Sequence, residues 1–274
     1  MIRSSEWREW GVPVEVAVTE CAALVEAETL VRAAIAESEA ACNPQRGDAE
    51  IHEVNLAQGI PVQVSPRLSA LLRSALWAAR MTDGAVSPLS ADDAGIDEDA
   101  TPPIHPLPDY SDIHLDGETV LAPFGVNLDI TETARADTAD RAAATVARSL
   151  ECGVLVRMGD VTATAGHSPA GGWQVSVPGA GTVELPAGSA MATRVRDAEP
   201  DEVEQNGGND VAGRWEQVTV IAGDALWADA AAAAALRRGA PAVRWLEQYD
   251  LAARLVDSGD RVHTTRRWSR PHAA

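Results

Sequence analysis

At 274 residues the chain is long enough to bury a substantial core, as one large domain or two small ones. Its formal net charge of -19 argues against the positive surface that nucleic-acid phosphates require and disfavours an anionic membrane surface, so neither partner is expected. No lysine occurs, all 22 Lys+Arg residues being arginine, which removes Schiff-base, P-loop and general-base lysines from consideration.

In chain order, the first residues carry charges at Arg3, Glu6, Arg8 and Glu9 with no apolar run behind them. No stretch approaches the roughly 18 apolar residues of a membrane span, so a cytoplasmic location is the default expectation. Residues 22–41 place Leu24, Ala27, Val31, Ala34 and Ile35 at helical spacing and predict an amphipathic helix ending before Asn43-Pro44. A second helix is expected from Ser65 as N-cap and Pro66 at its first position. It carries the stripe Leu68, Leu71, Leu72, Ala75, Leu76, Ala79 and stops at Asp83-Gly84.

Residues 89–108 are acidic and proline-rich and read as an exposed loop, the Asp cluster lacking the spacing of a calcium loop. Ile113–Leu115 and Thr119–Leu121 predict a hairpin turning at Asp116-Gly117. A third helix is expected over Asp137–Leu150. Short strands follow at Val154–Met158, Gln174–Val177, Thr182–Leu185 and Ala190–Thr193. The polar run 196–213 reads as a loop, Gln217–Ala222 as a strand, and Asp224 as the cap of an alanine-rich helix ending at Gly239. Pro241 opens another helix, a hairpin closes the chain, and about 265–274 is a tail. Without regular βαβ alternation the expected class is α+β, as a single domain over 1–274.

The three cysteines, Cys21, Cys42 and Cys152, form no C-x-x-C pair and imply neither a zinc framework nor a disulfide ladder. G-x-S-x-G, H-E-x-x-H, helix-opening G-x-G-x-x-G and G-x-x-x-x-G-K are all absent. From the residues alone, the chain is an α+β domain without a generic catalytic motif.

An ordered series of partial matches adds to this. Cys42, Arg46, Glu50, Ile51 and Asn55, then Val64-Ser65-Pro66 leading to Thr82-Asp83-Gly84-Ala85-Val86 with Pro88, come first. Leu128-Asp129, Thr133-Ala134-Arg135-Ala136 and Asp140 follow, then Cys152-Gly153, Gly159-Asp160, Gly171-Gly172-Trp173 and Ala192-Thr193. Trp215, Val218-Thr219-Val220 and Ala228-Asp229 complete it. Over about residues 20–260 this succession resembles the FAD:protein FMN transferases, the ApbE family. The resemblance implies the T-fold-related fold of those enzymes, with mixed sheets and packed helices. It also implies FAD as substrate or ligand, Mg²⁺ as a metal, and an acceptor protein modified on Thr or Ser.

Carried over residue by residue, the resemblance implies a flavin-nucleotide site at Asp83, Asp129, Arg135, Asp140 and Asp160. It implies metal ligation by the Asp229 carboxylate and the Glu132 carbonyl. The motifs also depart from the family. Gln45 stands for a Phe, Ala49 for a Ser, and Ser87 for an Asp. Thr131 stands for a Gly, Glu132 for an Ala, Arg135 for a Lys, Asp160 for a Gly, and Arg194 for a Ser. Ala233 stands where the family has the metal-binding Thr, and no histidine lies between His167 and His263 to match the family's acid–base residue. The D-P-x-T-G run survives only as Glu204 and Gly208, and Asp197, Glu202 or Asp210 of that loop are candidate replacement ligands. Three readings stay open at this point: a divergent copy with weak or lost transfer that binds FAD, an active Mg²⁺-dependent transferase, or a protein-interaction domain that binds no flavin.

Overall fold

The computed structural model describes residues 2–90, 108–196 and 214–268. The acidic segment expected at 89–108 is described only at Leu89, Ser90 and Pro108. The loop expected at 196–213 is described only at Arg196, and the tail at 265–274 only through Trp268. The chain divides into two compact units, Met1–Val31 with Ala139–Ala274, and Arg32–Thr138.

The first unit is built on an antiparallel sheet of eight strands. In chain order these are β1 (Arg3–Glu9), β2 (Val12–Val18), β6 (Val154–Met158), β7 (Val161–Ala165), β10 (Ala190–Val195), β11 (Trp215–Ala222), β12 (Ala252–Asp257) and β13 (Val262–Thr264), and they lie side by side in that order. Every pairing is antiparallel. A separate hairpin, β8 (Trp173–Val177) and β9 (Gly181–Leu185), presents Trp173, Val175, Val177 and Leu185 to Ala17, Leu155 and Met191 of the sheet, forming a buried apolar cluster. Its alternation is that of a half-buried ribbon: Trp173, Val175 and Val177 are buried, Gln174 and Ser176 exposed.

Helices α5 (Ala225–Arg238) and α6 (Ala242–Gln248) belong to the same unit, and α5 packs on β10 and β11. The alanines of α5 allow this close approach: Ala225, Ala228, Ala230, Ala231, Ala232, Ala234 and Ala235 are all buried. Asp224 caps the helix as expected, accepting from Trp227 N at 2.7 Å. Two glycines set another close approach. A Cβ on Gly153 would sit 1.8 Å from the His167 carbonyl, and one on Gly166, at φ +70°, 2.1 Å from the Cys152 carbonyl. No other residue fits either position.

The second unit contains α2 (Ile51–Leu56), α3 (Pro66–Met81) and a small sheet of β3 (Val62–Gln63), β5 (Thr119–Leu121) and β4 (His114–Asp116). Helix α3 follows its sequence signals. Ser65 Oγ accepts from Leu68 N, the leucine stripe is buried, and Asp83 at φ +54° and Gly84 at φ +78° end the helix. Gly84 N donates to Ala79 O at 2.8 Å, closing the last turn as a Schellman cap. The hairpin turn falls one residue later than expected. Asp116 pairs with Thr119, which leaves Gly117 and Glu118 as the loop.

Two long helices, α1 (Leu24–Cys42) and α4 (Thr131–Leu150), contain the divisions between the units. Helix α4 begins six residues before the expected Asp137. Asp129 Oδ1 accepts from Thr131 N at 2.9 Å and from Thr131 Oγ1 at 2.6 Å, an Asx turn that gives the helix's first amide a partner. Strands β1, β2, β3 and β7 and helix α2 have no counterpart in the sequence reading. Among the described residues no helix is long and apolar enough to cross a membrane.

The second unit buries an arginine. Arg67, 6% exposed, gives Nη1 to Asp137 Oδ1 at 2.9 Å, Nη2 to Ser38 Oγ at 2.8 Å and Nη2 to Thr138 Oγ1 at 3.0 Å. Ser74 Oγ completes the Asp137 carboxylate at 2.7 Å. Truncation would leave the Asp137 carboxylate without its cation, while Ser38 and Thr138 keep their bonds to the Ala34 and Ala134 carbonyls. Arg67→Ala is expected to cost about 3–5 kcal/mol in urea-denaturation measurements, because breaking a buried pair leaves an uncompensated charge. Arg67→Met with Asp137→Leu is expected to recover most of that loss.

Candidate functional site

Asp229 is the deepest of the candidate ligands, at 2% exposure on α5. A carboxylate buried among alanines requires a compensating charge. Strand β10 supplies it. Ala190, Ala192 and Arg194 alternate with Met191 and Thr193, and Met191 belongs to the cluster under the β8–β9 hairpin. Arg194 therefore points to the opposite face, which α5 covers. Its Nε donates to Asp229 Oδ1 and its Nη2 to Asp229 Oδ2, each at 2.6 Å, a bidentate fork that uses both carboxylate oxygens. One turn on, Ala233 offers no side-chain oxygen.

Asp140, on α4, serves the start of the same helix. Both its oxygens accept from Ala225 N at 2.8 Å, and Oδ2 also accepts from Leu226 N at 3.1 Å. The first-turn amides of α5 thus have an anionic partner where the helix dipole favours one. The far end is held too: Arg196 donates to the Leu236 carbonyl at 3.1 Å and Trp215 Nε1 to the Gly239 carbonyl at 2.6 Å. Asp160 is exposed in the β6–β7 turn after Gly159, and its carbonyl accepts from Thr193 N at 3.0 Å, next to Arg194. Asp140, Asp160 and Asp229 are thus gathered about β10 and α5. An open groove of about 450 Å³ on the other face of β10 is lined by Arg157, Gly159, Asp160, Ser176, Gly179 and Thr193.

The remaining candidates lie in the second unit. Asp83 is exposed at the αL turn after α3. Asp129 forms the turn before α4, Glu132 is exposed in its first turn, and Arg135 is half-buried one turn later. Burial pushes the Cys42 thiol up to about 12, with Arg67 and Arg135 opposing the rise and Asp129 and Asp137 adding to it. Cys152 is also raised, by burial and then by the Glu20 charge. Other residues of the matching motifs prove architectural. Glu50 accepts from Ser65 Oγ at 2.6 Å, and Asn55 bridges Leu128, donating to its carbonyl at 3.1 Å and accepting from its amide at 2.8 Å.

The two histidines that flank the histidine-free stretch are engaged elsewhere. His167 Nε2 lies 3.0 Å from Thr19 Oγ1 and 3.1 Å from Glu20 Oε1. His263 lies 3.3 Å from Asp257 Oδ2 and meets Trp215 edge-on, with ring centroids 5.0 Å apart. Asp197, Glu202, Glu204, Gly208 and Asp210 lie outside the described residues. Among the described residues, no three His, Cys, Asp or Glu side chains gather where they could hold a metal ion. A divalent cation such as Mg²⁺ asks for several hard oxygen donors. The donor set at α5, one carboxylate already forked by a guanidinium and an alanine one turn on, does not fit it.

This arrangement of an antiparallel sheet carrying an alanine-rich helix is similar in fold to several solved structures. The structure superposes on the apo flavinyl transferase ApbE of Pseudomonas stutzeri with a TM-score of 0.79 at 16% identity, covering 98% of this chain and 96% of that one. The ApbE protein of Thermotoga maritima gives 0.76 at 17% identity, covering 98% of each chain. The flavin transferase ApbE of Vibrio cholerae gives 0.72 at 15% identity, covering 97% of each. The sequence model of the ApbE family matches residues 10–255, and the chain belongs to that family. No curated protein matches the sequence. The fold is α+β, as the sequence indicates.

Two outcomes follow from the site as built. Asp140→Ala removes the carboxylate at the head of α5 and is expected to cost about 1–2 kcal/mol by thermal denaturation, with Asp140→Asn losing less. At pH 8 a chromogenic disulfide reagent is expected to titrate one thiol rapidly, exposed Cys21, with buried Cys42 and Cys152 reacting only after denaturation.

Proposed function

We propose that this chain is a divergent FAD:protein FMN transferase-family protein that binds FAD and has weak or lost transfer activity. The reading rests on one observation: the buried aspartate of the alanine-rich helix has both oxygens engaged by Arg194. Moving FMN from FAD to a hydroxyl cleaves the pyrophosphate and forms a phosphodiester. Such phosphoryl transfer depends on positive charge placed against the developing negative charge. Here the carboxylate that would carry a divalent cation is neutralised in place, and Ala233 removes a second oxygen. The stretch between His167 and His263 holds no imidazole to accept the hydroxyl proton. Losing a general base of this kind costs about 10²–10⁴-fold in rate.

Membership of the family supports retention of the flavin nucleotide. Asp83, Asp129, Arg135, Asp140 and Asp160 are the residues that the family resemblance alone proposes for it. Arg135 keeps the positive charge of the lysine it replaces while presenting a planar fork in place of a point charge.

The test is a titration of the protein with FAD, with and without Mg²⁺, read by the fluorescence of its eight tryptophans. Incubation with a threonine-containing acceptor and in-gel flavin fluorescence then follows. Saturable FAD binding without covalent flavin on the acceptor is the expected result. Mg²⁺-dependent labelling, abolished in Asp229→Ala, would establish the active transferase instead. No binding would leave a protein-interaction domain on the same fold.

A further inference from the structure

The Asp229–Arg194 pair is more than a neutralised charge. The carboxylate sits on the sheet-facing side of a helix, 2% exposed, and its partner rises from the strand directly beneath. Both oxygens are taken at 2.6 Å in the planar geometry that suits guanidinium and not ammonium. Arg194 occupies the position of the serine in the motif, and the neighbouring oxygen donor one turn along α5 has become Ala233. The two departures are complementary. A side chain carrying its own cation has arrived, and a ligand that only a free cation would need has gone.

We infer that Arg194 replaces the divalent cation at this site, so that α5 and β10 form a metal-independent centre in which a covalently attached guanidinium holds the carboxylate. The charge balance differs from that of a metal site. A carboxylate with a divalent cation sums to +1, whereas this pair sums to zero. The centre gives an anionic ligand no metal-borne charge, and chelators have nothing to remove. This assignment deepens the proposed loss of transfer and depends on that reading only for its consequence; the site chemistry is testable without any flavin.

The experiment uses the full chain and Mn²⁺ as probe, followed by electron paramagnetic resonance of the free ion and by thermal denaturation. The wild-type protein is expected to leave the Mn²⁺ signal unaffected by Asp229, with the same melting midpoint in millimolar Mg²⁺ and in EDTA. The double variant Arg194→Ser, Ala233→Thr frees the carboxylate and restores a hydroxyl one turn away. It is expected to melt lower than wild type without metal and to regain several degrees with Mg²⁺ or Mn²⁺, binding stabilising the folded state by mass action.

Mn²⁺ binding by the wild type that disappears in Asp229→Asn would overturn the inference. So would a folded double variant, verified by circular dichroism, that binds no Mn²⁺, because Arg194 would then be a structural partner only. Should the double variant not fold, the wild-type comparison with Asp229→Asn still decides. FAD titration is a separate measurement, so failure here withdraws the proposed loss of transfer without touching FAD binding, and failure there leaves this site chemistry untouched.

Discussion

A carboxylate placed under a closely packed helix constrains everything around it. Asp229 lies among alanines small enough for α5 to settle onto β10 and β11, and that closeness excludes the water that would otherwise solvate the charge. A bare charge in such a place costs several kcal/mol, so the strand below must answer it. Arg194 does so in the geometry that carboxylates accept best. The alanine content of the helix, the alternation of β10 and the identity of residue 194 are therefore a single solution.

Much of this architecture is legible in the sequence where local chemistry is strong. Ser65-Pro66 and Asp83-Gly84 bracket α3 because a hydroxyl cap, a proline at the first helical position and an αL stop each act locally. The start of α4 is misplaced because Asp129, two residues ahead of Thr131, meets its first amide through an oxygen whose role shows only in three dimensions. Strands β1 and β2 are hidden for a different reason. Their hairpin turns at Trp10 and Gly11, with φ of +50° and +73°, and a tryptophan is not a turn residue by propensity. Strand β1 is also an edge strand whose charges suit exposure and mask its alternation. Strand β7, built of Val, Thr and Ala, is too small-sided to stand out.

The candidate site was legible as a set of departures but not as an arrangement. Arg194 and Asp229 are 35 residues apart, and their approach depends on which face of β10 lies under α5. Asp140 is likewise visible as a retained residue, yet its partners are backbone amides, which leave no trace in sequence. What the motif matches carry most faithfully is framework: Glu50 on Ser65, Asn55 across Leu128, and Cys42 in the interior. Removing Glu50 or Asn55 would leave polar groups without these partners.

Helix α5 is anchored at both ends by side chains from outside it: Asp140 at its first amides, and Arg196 and Trp215 at its last carbonyls. A helix fixed only at one end can slide or roll by a fraction of a turn to absorb a change beneath it. One fixed at both ends behaves as a ruler clamped to a bench, and the graduation at Asp229 cannot drift. Substitutions in the strand below are then met by side chains alone.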